Sequence, residues 1–326
     1  MFKNYFKVAF RNLQRNKVYA FINIAGLSLG LACAMLIILY VKDEVSYDRF
    51  QGKLNNIYRV VASSVNADGG EEHKDGNTGY FQGPRFTENV PGLLSFVRIQ
   101  SWQEDIKKGT DVHSQEVLKV DSGFFSVFTF PLLSGNPKTC LKSPYSIVLS
   151  EDAAKKQFGT VDAIGKTVLL KDKGEFIPYT VSAVAKRCPQ NSSIKFDVLL
   201  PFIVSAADEQ RSENWFNFFL NTFVVLDPNA SVKTVENKMQ EFYETDTKEA
   251  IKIVTEKYGP IIHKSKYLLQ PFAAMHLSKE LPPQNGLSDA SNPMYSYILS
   301  GIALFILLIA CINFMNLSTA RSEKRS

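Results

Sequence analysis

Two long uncharged segments lie near the ends of the chain and enclose a polar middle. Residues 18–41 and 294–320 contain no charged side chain. A helix over the first segment rises about 36 Å, enough to cross a bilayer core of about 30 Å. Buried helices of soluble proteins seldom stay uncharged for so long and normally show a polar stripe. The pattern therefore predicts two membrane-spanning helices.

Basic residues flank these two segments unevenly. Residues 1–17 contain basic side chains and no acidic one, and three more basic side chains lie in residues 321–326. Between the spans, the basic residues of 42–53 are offset by acidic ones. Cytoplasmic flanks are the basic ones, so we expect both termini in the cytoplasm and residues 43–293 outside. A cleaved signal peptide is disfavoured, because its apolar stretch is only about 7–15 residues long.

Residues 1–17 combine an aromatic and a basic series at helical spacing. The two series are Phe2, Phe6 and Phe10, and Lys7, Arg11 and Arg15. A spacing of four residues places each series on one face of a helix. An amphipathic basic helix of this kind lies in the headgroup region of a membrane. We therefore expect a cytoplasmic helix on the membrane surface, bound to lipid.

The middle of the chain, residues 42–293, alternates between strand-like and helix-like runs. Its outer parts each read as strand, helix, strand, at 57–65, 86–90 and 95–102, and at 222–226, 232–245 and 267–272. Residues 103–201 instead contain four short strand candidates separated by Gly, Pro, Asn and Ser, with one helix capped by Ser150. The prediction is a mixed α+β extracytoplasmic domain with a β-rich insertion.

Residues that could perform chemistry do not converge in the sequence. Gly165, Lys166 and Thr167 resemble the end of a phosphate-binding loop, but that loop requires Gly where Thr160 stands. The four histidines show no metal-ligand spacing. No basic stripe with interleaved aromatics indicates nucleic-acid binding. We therefore expect no enzyme activity, no metal, no cofactor on this chain and no nucleic-acid partner.

Two pairs of residues remain as candidates for covalent or packing roles. Cys140 and Cys188 lie in the extracytoplasmic part, where one disulfide is open to them if their Cα atoms come within about 4.4–6.8 Å. Asn313 and Asn316 lie near the cytoplasmic end of the second span. They predict either contacts with another helix or a position at headgroup depth.

A series of motifs extends along the whole chain in a fixed order. They are SYDRF at 46–50 with IYRV at 57–60, VDSGFFSVFTFPLLSGNP at 120–137, SIVLSEDAAKKQFG at 146–159 with AIGKTV at 163–168, KFDVLLPF at 195–202 and LLQPFAAMHL at 268–277. Together with the opening FKNYFKVAFRNLQRNKVYAFINIAGLSLGLA, this series resembles the MacB/FtsX-type permeases of ABC transporters. The resemblance is to their N-terminal half, with its MacB-like periplasmic core domain.

The resemblance implies both a fold and a function. The fold is a pair of Porter-like strand-helix-strand units with a β-rich Sabre-like insertion. The function is that of a multi-pass permease subunit of the bacterial inner membrane, which couples ATP hydrolysis on a separate ATPase subunit to motion of its extracytoplasmic domain for export or extraction of a substrate. Residues 46–50 and 286–293 are then the stalk connections.

The resemblance also implies partners and a longer chain. Expected partners are the ATPase, a second permease half in a homodimer or pseudo-dimer, and a periplasmic or outer-membrane protein. Family members have further spans after the second, whereas here six residues follow residue 320, so we expect an N-terminal fragment or a truncated gene product. A membrane-anchored sensor or interaction module without transport activity is the alternative function.

Overall fold

The computed structural model describes residue 11 and residues 17–65, 72–172, 174–205, 215–258 and 264–322. The chain divides into two compact units. The first comprises residues 1–46 and 292–326, and the second is Tyr47–Ser291. We call the second unit the head. The predicted division into terminal apolar helices and a folded middle therefore appears in the structure.

The first unit contains helices α1 (Lys17–Val45) and α7 (Pro293–Ser322). Both are long and apolar enough to cross a membrane, and most of their large apolar side chains are exposed. The side chains buried between them are small, because only small residues allow two helices to approach closely. A Cβ added to Gly30 would lie 3.1 Å from the Cβ of Ala310. The backbones of the two helices are therefore closely packed at Gly30 and Ala310.

The head contains eleven strands that form one sheet among the described residues. Short helices lie between these strands. In chain order the elements are β1 (Ile57–Val65), β2 (Glu72–Asp75), α2 (Gln82–Asn89), β3 (Leu93–Lys108), β4 (Asp111–Val120), α3 (Phe124–Val127), β5 (Leu132–Gly135), β6 (Ser146–Ser150), α4 (Glu151–Phe158), β7 (Thr167–Asp172), β8 (Glu175–Ala185), β9 (Val198–Pro201), β10 (Asn221–Leu226), α5 (Val232–Asp246), α6 (Lys248–Tyr258) and β11 (Lys264–Pro271).

The outer parts of the head form a four-stranded core within this sheet. Its order is β11-β1-β10-β3, and each neighbouring pair is antiparallel. The two strand-helix-strand units, β1-α2-β3 and β10-α5-α6-β11, therefore interleave as in a ferredoxin-like fold. Apolar side chains of α2 and α5, such as Phe86 and Met239, are fully buried together with Trp215 and Tyr267 of the same cluster. This confirms the predicted pair of strand-helix-strand units.

The β-rich part of the head extends the same sheet. Strand β3 does not end near residue 103, as the sequence suggested, but continues to Lys108 and pairs with β4 up to Asp111. The strand predicted at 95–102 is therefore longer in the structure, because backbone pairing continues along one long hairpin. Beyond β4 the sheet continues through β9, β6, β8 and β5.

A cluster of aromatic side chains fills the other main core. It comes largely from the motif at 120–137, whose Phe124 stacks against Phe130 with ring centroids 5.7 Å apart. Phe128 from the same motif contacts Phe223 of β10 and Phe272 after β11. Aromatic pairs of this kind add to the stabilisation from burial. The motif therefore joins the insertion to the four-stranded core.

Two local predictions have clear outcomes. Ser150 caps α4 as predicted, since its hydroxyl accepts a hydrogen bond from the Ala153 N–H at 3.0 Å. Residues 165–167 form a turn into β7: the N–H of Gly165, whose φ is 77°, donates to the carbonyl of Val181. A turn rather than a phosphate-binding loop is therefore present at this position.

Candidate functional site

The structure brings together the two ends of the head, where the chain leaves α1 and where it approaches α7. We call residues 47–50 the leading segment, residues 284–291 the trailing segment and residues 191–195 the bridging loop. The bridging loop lies between β8 and β9. Both segments hydrogen-bond to this loop, and the three parts together are called the coupling joint.

Asp48 fixes the leading segment to the bridging loop. Its side chain is buried, and its Oδ1 accepts a hydrogen bond from the Ser193 N–H at 2.9 Å. Its own N–H donates to the carbonyl of Asn191 at 2.9 Å. The φ of Asp48 is 58°, in the left-handed region that Asp and Asn tolerate better than other residues with a side chain. This turn directs the leading segment onto the bridging loop.

The carboxyl of Asp48 is electrostatically perturbed. Burial raises the pKa of Asp48 above its usual value, because a charged carboxylate loses its hydration there. Hydrogen bonds from Ser193 and the proximity of His276 and Lys195 lower the pKa and offset part of this effect. The joint therefore contains a buried acid that accepts hydrogen bonds from Ser193 and, within the described ranges, forms no close ion pair.

The trailing segment meets the same bridging loop from the other side. The Ser288 N–H donates to the carbonyl of Ser193 at 2.9 Å, and Ile194 forms a single antiparallel bridge with Leu287. Lys195 and Asp289 form an ion pair at the surface. Ser193 thus donates to the leading segment through its N–H and accepts from the trailing segment through its carbonyl.

An aromatic contact adds a second link between the two ends. Tyr47 of the leading segment stacks on His276, with ring centroids 3.4 Å apart and planes 5° from parallel. The carbonyl of His276 accepts a hydrogen bond from the Ser291 N–H at 2.7 Å. Residues 47 and 291 are the first and last residues of the head, so His276 contacts both of its ends.

The trailing segment is also hydrogen-bonded to the sheet of the head. The buried Asn221 of β10 donates its side-chain amide to the carbonyls of Gln284 and Asn285, at 2.7 and 3.0 Å. Gly286 has a φ of 81°, and a Cβ placed there would lie 2.5 Å from Cδ2 of Leu118. Only glycine fits at this position without rearrangement. The segment therefore lies directly on the sheet.

The leading segment continues into a further anchor. Gln51 is buried, and its Oε1 accepts a hydrogen bond from the Thr129 N–H at 2.6 Å. Thr129 in turn accepts from the Gly52 N–H at 2.9 Å, and Phe50 packs edge-on against Phe130. The SYDRF motif is thereby attached to the aromatic motif at 120–137.

The sequence identified two of the three parts of the joint and missed the third. Residues 46–50 and 286–293 were predicted as separate stalk connections, and the structure joins residues 47–50 and 286–291 through the bridging loop and His276. Ser193 lies in none of the motifs named above, and His276 lies in the motif at 268–277 without a role assigned to it, because the partners of both residues lie far away in the chain. The serine-containing turn before the strand at 198–201 was the only signal, and it is typical of any loop.

The other predicted site residues have different outcomes. Arg11 is helical and exposed, while Phe2, Phe6, Phe10, Lys7 and Arg15 lie outside the described residues, so the membrane-surface helix stays a prediction. Asn313 lies against α1, with its Nδ2 3.5 Å from the position of a Cβ on Gly26, and its packing role stays a prediction. The side chain of Asn316 lies outside the described residues.

The two head cysteines are free thiols in the structure, and the disulfide between them stays a prediction. Cys140 is buried in the aromatic core, and Cys188 packs against that core and donates to the carbonyl of Phe196. Burial raises the pKa of both thiols to about 11, which disfavours the reactive thiolate. Each thiol therefore behaves as a small apolar side chain.

Comparison with known protein families identifies the chain. A family model described as the MacB-like periplasmic core domain matches residues 20–242, more than half of the chain. The chain belongs to the MacB-like periplasmic core domain family. The recognition made from the ordered motifs is thereby confirmed, and the two apolar helices flank the periplasmic domain of a MacB/FtsX-type permease of the inner membrane. No curated protein sequence matches the chain.

Solved structures with sequence identities of 20% or less align with this MacB-like chain. A domain of a protein described as a permease, from Porphyromonas gingivalis, aligns with a TM-score of 0.56 and 20% identity, over 76% of this chain and 98% of that one. The periplasmic region of MacB from Actinobacillus actinomycetemcomitans aligns with a TM-score of 0.40, 13% identity and coverage of 68% and 91%. The extracellular domain of the noncanonic ABC-type transporter YknZ from Gram-positive bacteria aligns with a TM-score of 0.38 and 14% identity, over 66% of this chain and 100% of that one.

Proposed function

We propose that this MacB-like chain is a permease subunit of an ABC transporter, in which ATP hydrolysis by a separate ATPase chain drives motion of the head for export or extraction of a substrate. In this proposal α1 and α7 cross the inner membrane. Both termini are cytoplasmic and residues 43–293 are periplasmic, as the distribution of basic residues favours.

The observation that carries the proposal is the coupling joint. The chain segments that continue from α1 and toward α7 are both hydrogen-bonded to the bridging loop, through the N–H and the carbonyl of Ser193. Each of these hydrogen bonds is shielded from water by burial of Asp48 and Ser193. A displacement of either helix end therefore acts on the same point of the head, instead of separating the two connections.

The joint also connects to the rigid part of the head. The trailing segment is attached to β10 by Asn221, and the leading segment to the aromatic core by Gln51. Close-packed cores transmit displacement rather than absorb it. The joint is thus suited to convert a movement of the helices into a movement of the whole head.

The partners follow from this function. The ATPase contacts the cytoplasmic residues, including the basic segment 1–17, and carries the ATP. A second permease half completes the transporter as a homodimer or pseudo-dimer. The head binds a periplasmic or outer-membrane protein.

The test is to purify the tagged chain from its native membrane in mild detergent and to measure ATP hydrolysis by the ATPase that accompanies it. We expect a stoichiometric ABC ATPase whose turnover changes at least twofold when Asp48→Ala loosens the joint. Arg85→Met, a surface change in the same head, is the matched control and leaves turnover unchanged. The absence of any ATPase would overturn the proposal and favour the membrane-anchored sensor.

A separate experiment tests the topology. Single cysteines at Lys138 and at Arg11 are treated in intact spheroplasts with a membrane-impermeant maleimide, in a variant that lacks the four native cysteines. Both positions are exposed in the structure. We expect labelling at position 138 only. Labelling at position 11 with protection of position 138 would refute the orientation.

A further inference from the structure

A buried arginine in strand β1, next to the β11 edge of the sheet, lacks a complete set of partners among the described residues. Arg59 of β1 is 2% exposed, and its Nε donates to the carbonyl of Gly76 at 3.0 Å. Its Nη2 has no hydrogen-bond partner among the described residues. A Cβ on Gly76 would lie 1.9 Å from this Nη2. The guanidinium therefore lies flat against the backbone of Gly76, and the absence of a side chain there makes room for it.

Among the described residues, the charge of Arg59 is also not neutralised by a close carboxylate. In the described part of the chain, the acid that interacts electrostatically with Arg59 is Asp75. The two side chains form no ion pair within 4 Å. The Oδ1 of Asp75 instead accepts a hydrogen bond from the Asn77 N–H at 2.8 Å. Burial lowers the pKa of Arg59 to about 10, with Asp75 partly opposing the shift.

Another buried arginine of the same sheet shows the usual arrangement. Arg98 of β3 binds both carboxylate oxygens of Asp121, at 2.7 and 3.0 Å. A buried cation is normally stabilised in this way, because an unpaired one is strongly destabilising. Arg59 departs from this rule, so an anionic partner from outside the protein is physically favoured.

A small cavity lies beside Arg59. Its volume is about 10 Å³, and its lining includes Arg59, Ser288 and His276 with apolar side chains such as Leu287. The Ser288 hydroxyl is buried and has no hydrogen-bond partner among the described residues. A cavity of this volume admits one particle about the size of a water molecule. Phosphate, sulfate and carboxylates are too large for it.

We propose that this cavity binds one monatomic anion, chloride in the first instance, held by Nη2 of Arg59 and the hydroxyl of Ser288. A water molecule could accept the same hydrogen bonds but would leave the buried positive charge unneutralised. The anion therefore joins β1 to the trailing segment. This inference does not depend on the proposed transport function.

The direct test is ³⁵Cl NMR of the full chain in detergent micelles. Exchange of chloride at a protein site broadens the ³⁵Cl signal, and we expect an excess linewidth that bromide removes by competition. Arg59→Met should abolish the excess, and Ser288→Ala should weaken chloride binding by at least threefold. Arg85→Met removes one positive charge from the surface and should retain the wild-type excess.

A second measurement uses the stability of the head. Both tryptophans, Trp102 and Trp215, lie in the head, so their fluorescence reports its unfolding within the full chain. At equal ionic strength, we expect replacement of gluconate by chloride to raise the melting temperature saturably, by about 3–5 °C at ten times the dissociation constant. Ser288→Ala should need at least threefold more chloride for the same rise.

Two results would overturn the proposal. One is a wild-type ³⁵Cl linewidth equal to that of the Arg59→Met or Ser288→Ala variant. The other is a melting temperature that does not differ between chloride and gluconate. Either result would show that the cavity holds only water. If Arg59→Met does not fold, the Ser288→Ala comparison decides the question alone, since it leaves the buried guanidinium in place.

Discussion

The coupling joint makes Asp48 the most informative position to change. Asp48→Ala removes the acceptor for the Ser193 N–H and places alanine at a φ of 58°. Ser193 is buried, so its N–H is left without a partner and without water. We expect the head to lose stability and the leading segment to separate from the bridging loop.

The magnitude follows from two opposing contributions. A buried N–H without a partner costs about 1–3 kcal/mol, and alanine in the left-handed region costs about 1 kcal/mol more than aspartate. Burial raises the pKa of the Asp48 carboxylate, so removing this group regains part of the lost free energy of unfolding. The expected net loss is about 2–3 kcal/mol in the free energy of unfolding.

Urea unfolding of the full chain in detergent, followed by tryptophan fluorescence, measures this loss. Both tryptophans lie in the head, so the signal is specific to that unit. Asp48→Asn is the matched variant, because asparagine keeps the acceptor oxygen and tolerates the same backbone conformation. An Asp48→Ala variant as stable as the wild type, or an Asp48→Asn variant as unstable as Asp48→Ala, would refute the reasoning.

The pH dependence of the stability of Asp48→Asn tests the electrostatic contribution of the buried Asp48 carboxyl. Because burial raises the pKa of Asp48, its contribution to stability is full below the unfolded pKa of about 3.9 and is lost as pH rises through the folded pKa. Asparagine does not titrate. We therefore expect Asp48→Asn to gain stability relative to the wild type as pH rises through this range. A difference that is constant with pH would contradict the prediction.

Two glycine substitutions, each with a matched control, test the packing described above. Gly30→Leu should force α1 away from α7, whereas Gly301→Leu, at a position with no described atom within 4 Å, should not. The yield of a disulfide between cysteines engineered on the two helices measures this separation, and equal yields in the two variants would contradict the prediction. Gly286→Ala combines a φ of 81° with a clash against β4, and Gly109→Ala has a φ of 61° with no neighbour within 4 Å in the described part of the chain. The first should destabilise the head by about 1–3 kcal/mol more than the second in urea unfolding.

Local patterns were sufficient for most of the elements of this protein. The uncharged run of residues 18–41 predicts a spanning helix by length alone, and the structure has a helix at Lys17–Val45. The β-branched run at Ile57–Val65 predicts β1 with its observed limits. The cap at Ser150 predicts the start of α4. These signals are local because helix length, strand alternation and capping depend on residues within one or two turns.

The arrangement of those elements was decided by tertiary structure. The strand order β11-β1-β10-β3 depends on which apolar faces meet, and β3 runs past the predicted boundary because it pairs with β4. The coupling joint and the Arg59 cavity are likewise long-range: Asp48 meets Ser193 across 145 positions of the chain. A sequence pattern records which residues can be buried or hydrogen-bonded, but the partner is chosen only when the sheet closes and brings distant segments into contact.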